Sequence, residues 1–452
     1  YKFPDPDDNE SLAHSFEKTV EEFGNNNFIF FEDESWSYSE TNKAANSLAN
    51  KLVEDGVTHS DRVVLFMENR PDFIISILAL NKIGAIGVLI NTSLTGKPLI
   101  HCINSSDSKK CIVGAELAAS LEAVLDEINI KDKEDIYWVE DGDRFICPEW
   151  ALSLKPLLDD SKDENLAITN MVTAKDTAFY IFTSGTTGVP KAALFPNSKI
   201  IAASINISKG GYRINDSDCM YNCLPLYHST GLMLGLCACV QVGAATFIRR
   251  KFSASAFWKE AKQFNTTAFV YVGELCRYLS FQDPSEEEKD NPISSMVGNG
   301  LRPDLWDCFR NRFNVERIIE IYGASEGNAL FMNLLNKDET IGMTNARVAL
   351  FEYDVAEDKL VKDTESKFIE VGEGQPGLLL VEIGPDAIYN GYTDKKASEE
   401  KVISNVFEEG DRWFNTGDLV KTMDVGFSLG RTHYQFVDRV GDTFRWKSEN
   451  VS

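Results

Sequence analysis

The first hydrophobic positions of the chain have helical spacing. Leu12, Phe16, Val20 and Phe23 share one face of a helix, and Gly24 follows as a stop signal. A helix with one apolar stripe must bury that stripe against other elements. The pattern therefore predicts an opening helix that packs on a core.

Two short apolar runs around a polar turn come next. Phe28–Phe31 and Trp36–Tyr38 flank Glu32–Ser35, a spacing typical of a β-hairpin. Ser39 is then placed to cap a helix that continues to Glu54. We therefore expect a hairpin between two helices at the start of the fold.

Further along, strand and helix patterns alternate. Val63–Met67 and Ile86–Ile90 are strand-like, and the apolar stretch Asp72–Ile83 between them is helical. Such alternation predicts parallel sheets with helices on both faces, a doubly wound α/β fold. A second series with the same alternation comprises the predicted strands Thr177–Phe182, Cys219–Cys223, Ala268–Val272 and Val315–Tyr322 and the predicted helices Asn197–Ser208 and Phe257–Phe264.

From about residue 341 the pattern changes to short β-like runs separated by glycine-rich turns. This texture predicts a small antiparallel β-barrel or sandwich, and we take the barrel as the subdomain. We therefore divide the chain into paired α/β subdomains over 1–340, the barrel over 341–437, and a hinge with the start of a further domain over 438–452. The predicted strands of the barrel are Leu350–Val355, Phe368–Val371, Gly377–Ile383, Gly426–Leu429 and Tyr434–Val437.

Two apolar stretches raise the question of a membrane span. Residues 73–91 and 229–248 each approach the length of about 20 apolar residues that crosses a bilayer. Both are interrupted by turn signals in the middle, so a buried helix followed by a buried strand is the better interpretation. For the second stretch these are the helix Leu232–Val240 and the strand Ala245–Ile248.

Composition and charge narrow the function classes. The 452 residues suggest about three folding units. With 45 basic and 70 acidic residues the net charge is −25, and a surface this acidic repels nucleic acid. Nine scattered cysteines and only five histidines indicate reduced, buried thiols and argue against a zinc site.

The strongest chemical signal is the stretch that follows the predicted strand Thr177–Phe182. Small and hydroxyl residues, Thr183-Ser184-Gly185-Thr186-Thr187-Gly188, lead through Val189 and Pro190 to Lys191. Glycine amides, hydroxyl donors and a lysine charge are suited to cradling phosphate. Because Ala192 follows Lys191, the Gly-Lys-Ser/Thr ending of a Walker A loop is absent.

This stretch resembles the signature of the adenylate-forming superfamily, which includes acyl-CoA synthetases, peptide-synthetase adenylation domains and luciferases. Three further segments are similar to motifs of that superfamily, in the same order. They are Tyr322-Gly323-Ala324-Ser325-Glu326, Thr416-Gly417-Asp418 and Asp438-Arg439-Val440-Gly441-Asp442. The resemblance implies the large N-terminal domain of these enzymes, with ATP, Mg²⁺ and coenzyme A as cofactor and co-substrates.

The resemblance also implies roles for individual residues. Catalysis is assigned to Lys191, Glu326 and Thr183, and the last two are the expected Mg²⁺ ligands. A plain turn at Gly298–Gly300, an exposed turn aspartate at 418 and pairing of Arg439 with Asp438 or Asp442 stay open as alternatives. The implied nucleotide-binding residues are Ser184, Gly185, Thr186, Thr187, Gly188, Gly298, Asn299, Gly300, Tyr322, Gly323, Ser325, Asp418 and Arg439.

Two more segments resemble one branch, the fatty acid transport proteins, which are also very long-chain acyl-CoA synthetases. They are Tyr271–Leu279 and Phe436–Val451, although Ser448 stands where that branch usually has glycine. Substrate contacts are expected from His228, Tyr271, Gly273 and Glu274. A structural role for His228 is the alternative.

We therefore expect an ATP-dependent fatty acid–CoA ligase that forms an acyl-adenylate and then a thioester. The family's adenylation lysine would lie in a further domain, and Gly441 is the expected hinge. A ligase for a carnitine-like, bile or aryl acid and a lipid-uptake protein are the alternatives. The resemblance leaves open a homodimer and membrane association facing the cytosol in a eukaryote, or a cytoplasmic location in a bacterium, with this fragment itself soluble.

Overall fold

The structure is a computed structural model that forms two compact units. The first comprises Tyr1–Tyr271, Phe281–Met296 and Phe313–Val315, and the second comprises Val272–Ser280, Val297–Arg312 and Glu316–Ser452. The three-part division at residues 340 and 437 stays a prediction. The residues described are 4–130, 132–142, 145–159, 161–183, 190–323, 327–384, 387, 389, 395–440, 444–446 and 449–451.

A seven-stranded sheet forms the centre of one part of the first unit. All its pairings are parallel except that between the last two strands, which form an antiparallel hairpin at the sheet edge. This confirms the parallel sheet that strand and helix alternation predicts. In spatial order the strands are Leu152–Ser153, Ile136–Val139, Lys110–Gly114, Arg62–Phe66, Ile86–Leu89, Thr177–Thr183 and Lys191–Pro196.

The first unit also contains a second, mainly parallel set of strands. The predicted hairpin at the start of the chain lies at its edge and is the antiparallel pair. In spatial order these strands are Ala268–Val272, Cys219–Asn222, Ala245–Ile248, Asn27–Phe31 and Glu34–Ser37.

Helices cover both sets of strands, and one expected cap is wrong. The helix Tyr38–Glu54 is capped by Ser37, not Ser39, because Ser37 and Glu40 form a reciprocal capping box. The α-helices of the first unit are Leu12–Phe23, Tyr38–Glu54, Pro71–Lys82, Gly96–Ser105, Ala118–Glu122, Leu154–Leu158, Asn197–Ile205, Cys237–Val240, Phe257–Gln263 and Glu286–Lys289.

Two predicted helices contain wider turns than an α-helix. After Asn197–Ile205 the chain continues as a π-helix over Asn206–Tyr212, and the π-helix Thr230–Leu236 precedes Cys237–Val240. Periodicity cannot separate π from α turns over so few residues. π-Helical turns are often found at functional sites, and the segment Thr230–Leu236 begins two residues after His228.

The second unit is mostly antiparallel. Its five-stranded sheet has the order Val348–Phe351, Gly377–Glu382, Arg412–Met423 and Val402–Ser404, with His433–Arg439 also paired to Arg412–Met423. The pairings among the described strands do not join the two ends of this sheet, so closure into a barrel stays a prediction. Its other elements are the helices Gly273–Ser280 and Lys395–Glu399, the π-helix Cys308–Arg312, and the strand pairs Arg317–Tyr322 with Phe331–Met332, Tyr353–Asp354 with Lys359–Leu360, and Phe444–Trp446 with Glu449–Val451. The strand Ser295–Asn299 falls partly in each unit.

Two of the strands predicted for this region are wrong. Gly426–Leu429 lies in a turn region in which Gly426 and Leu429 both have positive φ and Phe427 is exposed. Phe368–Val371 makes only isolated bridges, Phe368 with Lys362 and Glu370 with Phe351. A short run of apolar residues forms a strand only if a partner strand lies next to it, and the sequence does not show where that partner is.

The two apolar stretches are buried elements of the first unit. The helix Pro71–Lys82 is buried along nearly its whole length, and so is the segment Thr230–Val240. Among the described residues, none of the helices combines the length and the apolar character needed to cross a bilayer. Seven of the nine cysteines are buried.

A buried ion pair joins the first helix to Pro71–Lys82. The side chain of Lys82 is 0% exposed and its ammonium donates to the carboxylate of Glu17. Burial is the largest influence on Lys82 and lowers its pKa. The carboxylate of Glu17 is therefore needed to compensate the free energy that burial of the Lys82 ammonium costs.

We expect Glu17→Gln to lower the free energy of unfolding by about 3 kcal/mol, because it leaves the Lys82 ammonium buried without a counter-charge. The double variant Glu17→Gln/Lys82→Met should recover most of that loss. Denaturant unfolding measures both. Asp163→Asn, which breaks the exposed Lys43–Asp163 pair, is the control and should cost less than about 1 kcal/mol. Equal losses in Glu17→Gln and Asp163→Asn would contradict the dependence.

Candidate active site

The ends of the predicted phosphate-binding stretch are held by the edge hairpin of the first sheet. Thr183 and Lys191 are directly opposed in the antiparallel pair Thr177–Thr183 and Lys191–Pro196. The strand ladder therefore fixes both residues, and the two side chains predicted for catalysis in this unit are neighbours. Ser184, Gly185, Thr186, Thr187 and Gly188 lie outside the described residues.

Thr183 has an unused hydrogen-bonding group at this point. Its Oγ1 is buried and has no hydrogen-bond partner among the described residues. Most buried hydroxyls are paired, so Oγ1 of Thr183 is available to bind a ligand atom. Lys191 is half-buried beside it. A hydroxyl and an ammonium on adjacent strand ends fit a phosphate group, and the hydroxyl also fits a cation such as Mg²⁺.

One contact near this stretch was not expected from the sequence. Nε2 of His101 lies 3.0 Å from the carbonyl oxygen of Pro190, the residue before Lys191. His101 belongs to the helix Gly96–Ser105. The contact therefore joins that helix to the residue at which the chain re-enters the hairpin.

In the second unit, three predicted site residues form one hydrogen-bonded cluster. The hydroxyl of Tyr322 donates to Oδ2 of Asp418 at 2.5 Å, and Nε of Arg439 donates to Oδ1 at 2.9 Å. The side chain of Asp418 is only 2% exposed, whereas that of Arg439 is 62% exposed. Asp418 is therefore a buried carboxylate that accepts from Tyr322 and Arg439, not an exposed turn residue. Asp442, the other predicted partner of Arg439, lies outside the described residues.

The surroundings of Tyr322 keep its phenol protonated. Burial and the neighbouring Asp418 raise the pKa of Tyr322 well above its ordinary value, so the phenol keeps its proton. The carboxylate can accept more bonds than the two it has, because each oxygen has two lone pairs. Gly323 follows Tyr322 among the described residues, whereas Ser325 and Glu326 lie outside them.

The predicted base-binding turn is held by a residue that the motif search missed. Gly298, Asn299 and Gly300 end a strand, and Gly300 has φ +80°. The amides of Gly300 and Leu301 both donate to the carboxylate of Glu320, which is 3% exposed. The signal was present in the sequence, because a charged residue inside an apolar strand needs partners.

Gly273 is required by a close approach of two backbones. A Cβ atom at this position would overlap the carbonyl oxygen of Gly300. Glycine is therefore needed here to let the start of the helix Gly273–Ser280 lie against the turn that Glu320 holds. Gly273 thus has a structural reason to be glycine, besides the substrate contact that was predicted.

The other two residues predicted in this segment have different surroundings. Tyr271 is fully buried at the end of the strand Ala268–Val272. Glu274 is exposed and accepts hydrogen bonds from the guanidinium of Arg277, which lower its pKa to about 2. The side chain of Glu274 is therefore a permanent surface charge, and substrate contact stays a prediction for both residues.

His228 lies just before the π-helix Thr230–Leu236 in the first unit. His228 is exposed, yet the protein around it desolvates the imidazole and lowers its pKa. The amide of Thr230 donates to Nδ1 at 3.4 Å. The imidazole is therefore neutral at neutral pH, and because Nδ1 accepts from Thr230, the ring proton is on Nε2.

The residues present fit a magnesium ion only in part. Thr183 offers an oxygen, but Glu326 lies outside the described residues, as does the hinge residue Gly441. Groups of three or more histidine, cysteine, aspartate or glutamate side chains arranged around a metal are absent from the part of the chain that the structure describes.

We expect Glu320→Ala to raise the hydrogen-exchange rates of the Gly300 and Leu301 amides, because both lose their buried acceptor. Glu320→Gln keeps an acceptor oxygen and should retain most of the protection. Hydrogen exchange resolved to single amides measures this. Glu316→Ala, an exposed position just before the same strand, is the control. Unchanged exchange in Glu320→Ala would show that the turn holds itself.

Comparison with known proteins identifies the family of the chain. The family model described as AMP-binding enzyme matches residues 16–393. Medium/long-chain-fatty-acid–CoA ligase FadD6 of Mycobacterium tuberculosis is 37% identical over 99% of this chain and 72% of its own length. Long-chain fatty acid transport protein 6 of the mouse is 37% identical over 94% of this chain and 68% of its own length.

A solved structure shows the same fold. The anthranilate CoA ligase AuaEII, in complex with anthranoyl-AMP, superposes with a TM-score of 0.78 at 19% identity, covering 98% of this chain and 80% of that one. The expected α/β fold of adenylate-forming enzymes is thereby confirmed. The chain belongs to the AMP-binding enzyme family, and its relatives there are fatty-acid–CoA ligases and long-chain fatty acid transport proteins.

Proposed function

We propose that the protein is an ATP-dependent fatty acid–CoA ligase. The observation that carries the proposal is the 37% identity with a medium/long-chain-fatty-acid–CoA ligase over 99% of the chain. In this reaction the fatty carboxylate attacks the α-phosphorus of ATP, which gives an acyl-adenylate and pyrophosphate. The thiol of coenzyme A then attacks the acyl carbon, and AMP leaves as the thioester forms.

The first step needs charge neutralisation more than proton transfer. A fatty carboxylate is already ionised at neutral pH, so it attacks without a general base. This agrees with a neutral His228, whose Nε2 proton suits a hydrogen bond to the substrate carboxylate. The protein must instead stabilise the charge that collects on the phosphates, in a molecule whose net charge is −25.

For the triphosphate we propose the hairpin end of the first unit. Lys191 supplies the positive charge, and the hydroxyl and amide groups of residues 184–188 supply donors. The orphan Oγ1 of Thr183 supports this role, because it needs a partner that the described residues do not offer. Thr183 and Glu326 would hold Mg²⁺, which would neutralise phosphate charge there.

For the nucleoside we propose residues of the second unit. The face of Tyr322 would stack on adenine, with its ring held by the bond to Asp418. The free lone pairs of Asp418 would accept the ribose hydroxyls, alongside Tyr322 and Arg439. The polar backbone groups of Gly298–Gly300, held by Glu320, would contact the base edge.

The remaining predicted residues concern the fatty acid. We propose that His228 contacts the carboxylate and that Tyr271 and Gly273 border the path of the acyl chain. Glu274 fits an outer position, since it is exposed and paired with Arg277. Gly441 as hinge, membrane association and a homodimer stay predictions.

We expect Lys191→Ala and Glu326→Ala each to lower fatty-acid-dependent pyrophosphate release by the full-length protein by about 10²-fold or more. Lys97→Ala, an exposed lysine on the helix Gly96–Ser105, is the control and should keep normal turnover. The assay uses fatty acids of graded length beside carnitine-like, bile and aryl acids. Near-normal release in Lys191→Ala, or faster release with a non-fatty acid, would overturn the assignment.

A role in fatty acid uptake is the second candidate. It is favoured by the long-chain fatty acid transport protein among the relatives. If uptake results from trapping the acid as its CoA ester, cells that express Lys191→Ala should lose uptake and ligase activity together. Labelled fatty acid accumulation measures this, with Lys97→Ala as the control. Retained uptake without ligase activity would separate the two functions.

A further inference from the structure

A buried asparagine reaches the His228 segment from another part of the first unit. Asn69 follows the strand Arg62–Phe66 and precedes the helix Pro71–Lys82. It is 5% exposed. It belongs to none of the motifs that suggested the nucleotide or the acyl substrate, so its position calls for a separate explanation.

The side-chain amide of Asn69 is fully used in bonds to backbone groups. Its Oδ1 accepts from the amide of Leu226 at 2.8 Å. Its Nδ2 donates to the carbonyl oxygen of Leu224 at 2.7 Å and to that of Arg249 at 3.1 Å. Both of its protons and its oxygen are therefore engaged, and only an amide offers this combination of groups.

A second buried asparagine holds the other side of the same segment. Asn222 is 0% exposed, and its Nδ2 donates to the carbonyl oxygen of Gly231 at 2.9 Å while its Oδ1 accepts from Leu224 N at 3.3 Å. A Cβ on Gly231 would lie 2.6 Å from the carbonyl oxygen of Pro225. The backbone at Gly231 therefore lies against that of Pro225, with no room for a side chain at position 231.

His228 lies between these two attachments. Asn69 fixes Leu226, two residues before His228, and Asn222 fixes Gly231, three residues after it. His228 N also donates to the carbonyl oxygen of Pro225 at 3.1 Å. A change at either attachment would alter the direction of the imidazole without touching it.

We propose that Asn69 is a positioning residue for the carboxylate end of the fatty acid. It acts through Leu224–Leu226 to hold His228 toward the substrate, and it takes no part in the chemistry itself. This inference rests on the proposed function, in which His228 meets the substrate carboxylate. Reaction geometry is sensitive to displacements of about 1 Å, so a loosened segment should weaken acyl binding.

The decisive variant is Asn69→Asp in the full-length protein. It keeps the shape and the acceptor for Leu226, but it replaces both donors with an oxygen that faces two carbonyl groups. We expect KM for the fatty acid to rise about tenfold or more, because a buried bonding pattern is broken. KM for ATP should stay within about twofold.

Two comparisons separate positioning from general damage. Asn46→Ala removes an equally buried asparagine whose amide bonds to Asp163 and Asn165, so it should cost stability without raising KM for the fatty acid. In His228→Ala, adding Asn69→Asp should have no further effect on that KM, because both changes act through one group. Equal rises in both KM values, a similar effect of Asn46→Ala, or additive effects with His228→Ala would overturn the proposal.

A measurement without turnover keeps the inference distinct from the proposed function. The amides of Leu224, Leu226 and His228 should exchange hydrogen faster in Asn69→Asp than in the unsubstituted protein or in Asn46→Ala. Unchanged exchange would overturn the positioning role even in an active ligase. If exchange rises while no fatty acid releases pyrophosphate, the segment is held as described and the proposed function fails alone.

Discussion

Buried side chains that hydrogen-bond to loop backbone are the constraint on which the candidate site depends. A loop at the end of a buried strand carries amide and carbonyl groups that water reaches poorly, and each unpaired group costs free energy. In the first unit Asn69 and Asn222 provide the partners around His228. In the second, Glu320 does so for the turn at Gly300. These loops therefore keep one shape before any substrate arrives, which is what a preorganised site requires.

The regular parts of the fold were predictable because their signals are local. The one-sided face of Leu12–Phe23 and the strand and helix alternation from Arg62 to Leu89 follow directly from burial on one or both faces. The cap at Ser37 was misplaced because two serines stand near the helix start and only the capping box with Glu40 distinguishes them. The turn at Gly426–Leu429 was misassigned because pairing depends on a distant strand.

The candidate site was predictable where residue types cluster in sequence and not where they meet only in space. Thr183 and Lys191 were found in one motif, and their opposition across a hairpin needs the strand register. Tyr322 and Asp418 were found in separate motifs. The hydrogen bond between them joins residues 96 positions apart in the sequence, so no local pattern indicates it. Asn69 and Glu320 were missed because neither belongs to a motif. A polar residue next to or inside an apolar strand was the only indication.

The contact of Gly273 with the carbonyl of Gly300 limits how this protein can change. Any residue with a Cβ atom would clash at position 273 unless one of the two backbones moved. A change of carboxylic acid substrate would therefore have to leave Gly273 in place. Variation is open instead along the exposed flank of the helix Gly273–Ser280, where Glu274 and Arg277 meet solvent. A library that keeps Gly273 and randomises the positions after it would retain folded members. In a library that also randomises position 273, most members would not fold correctly.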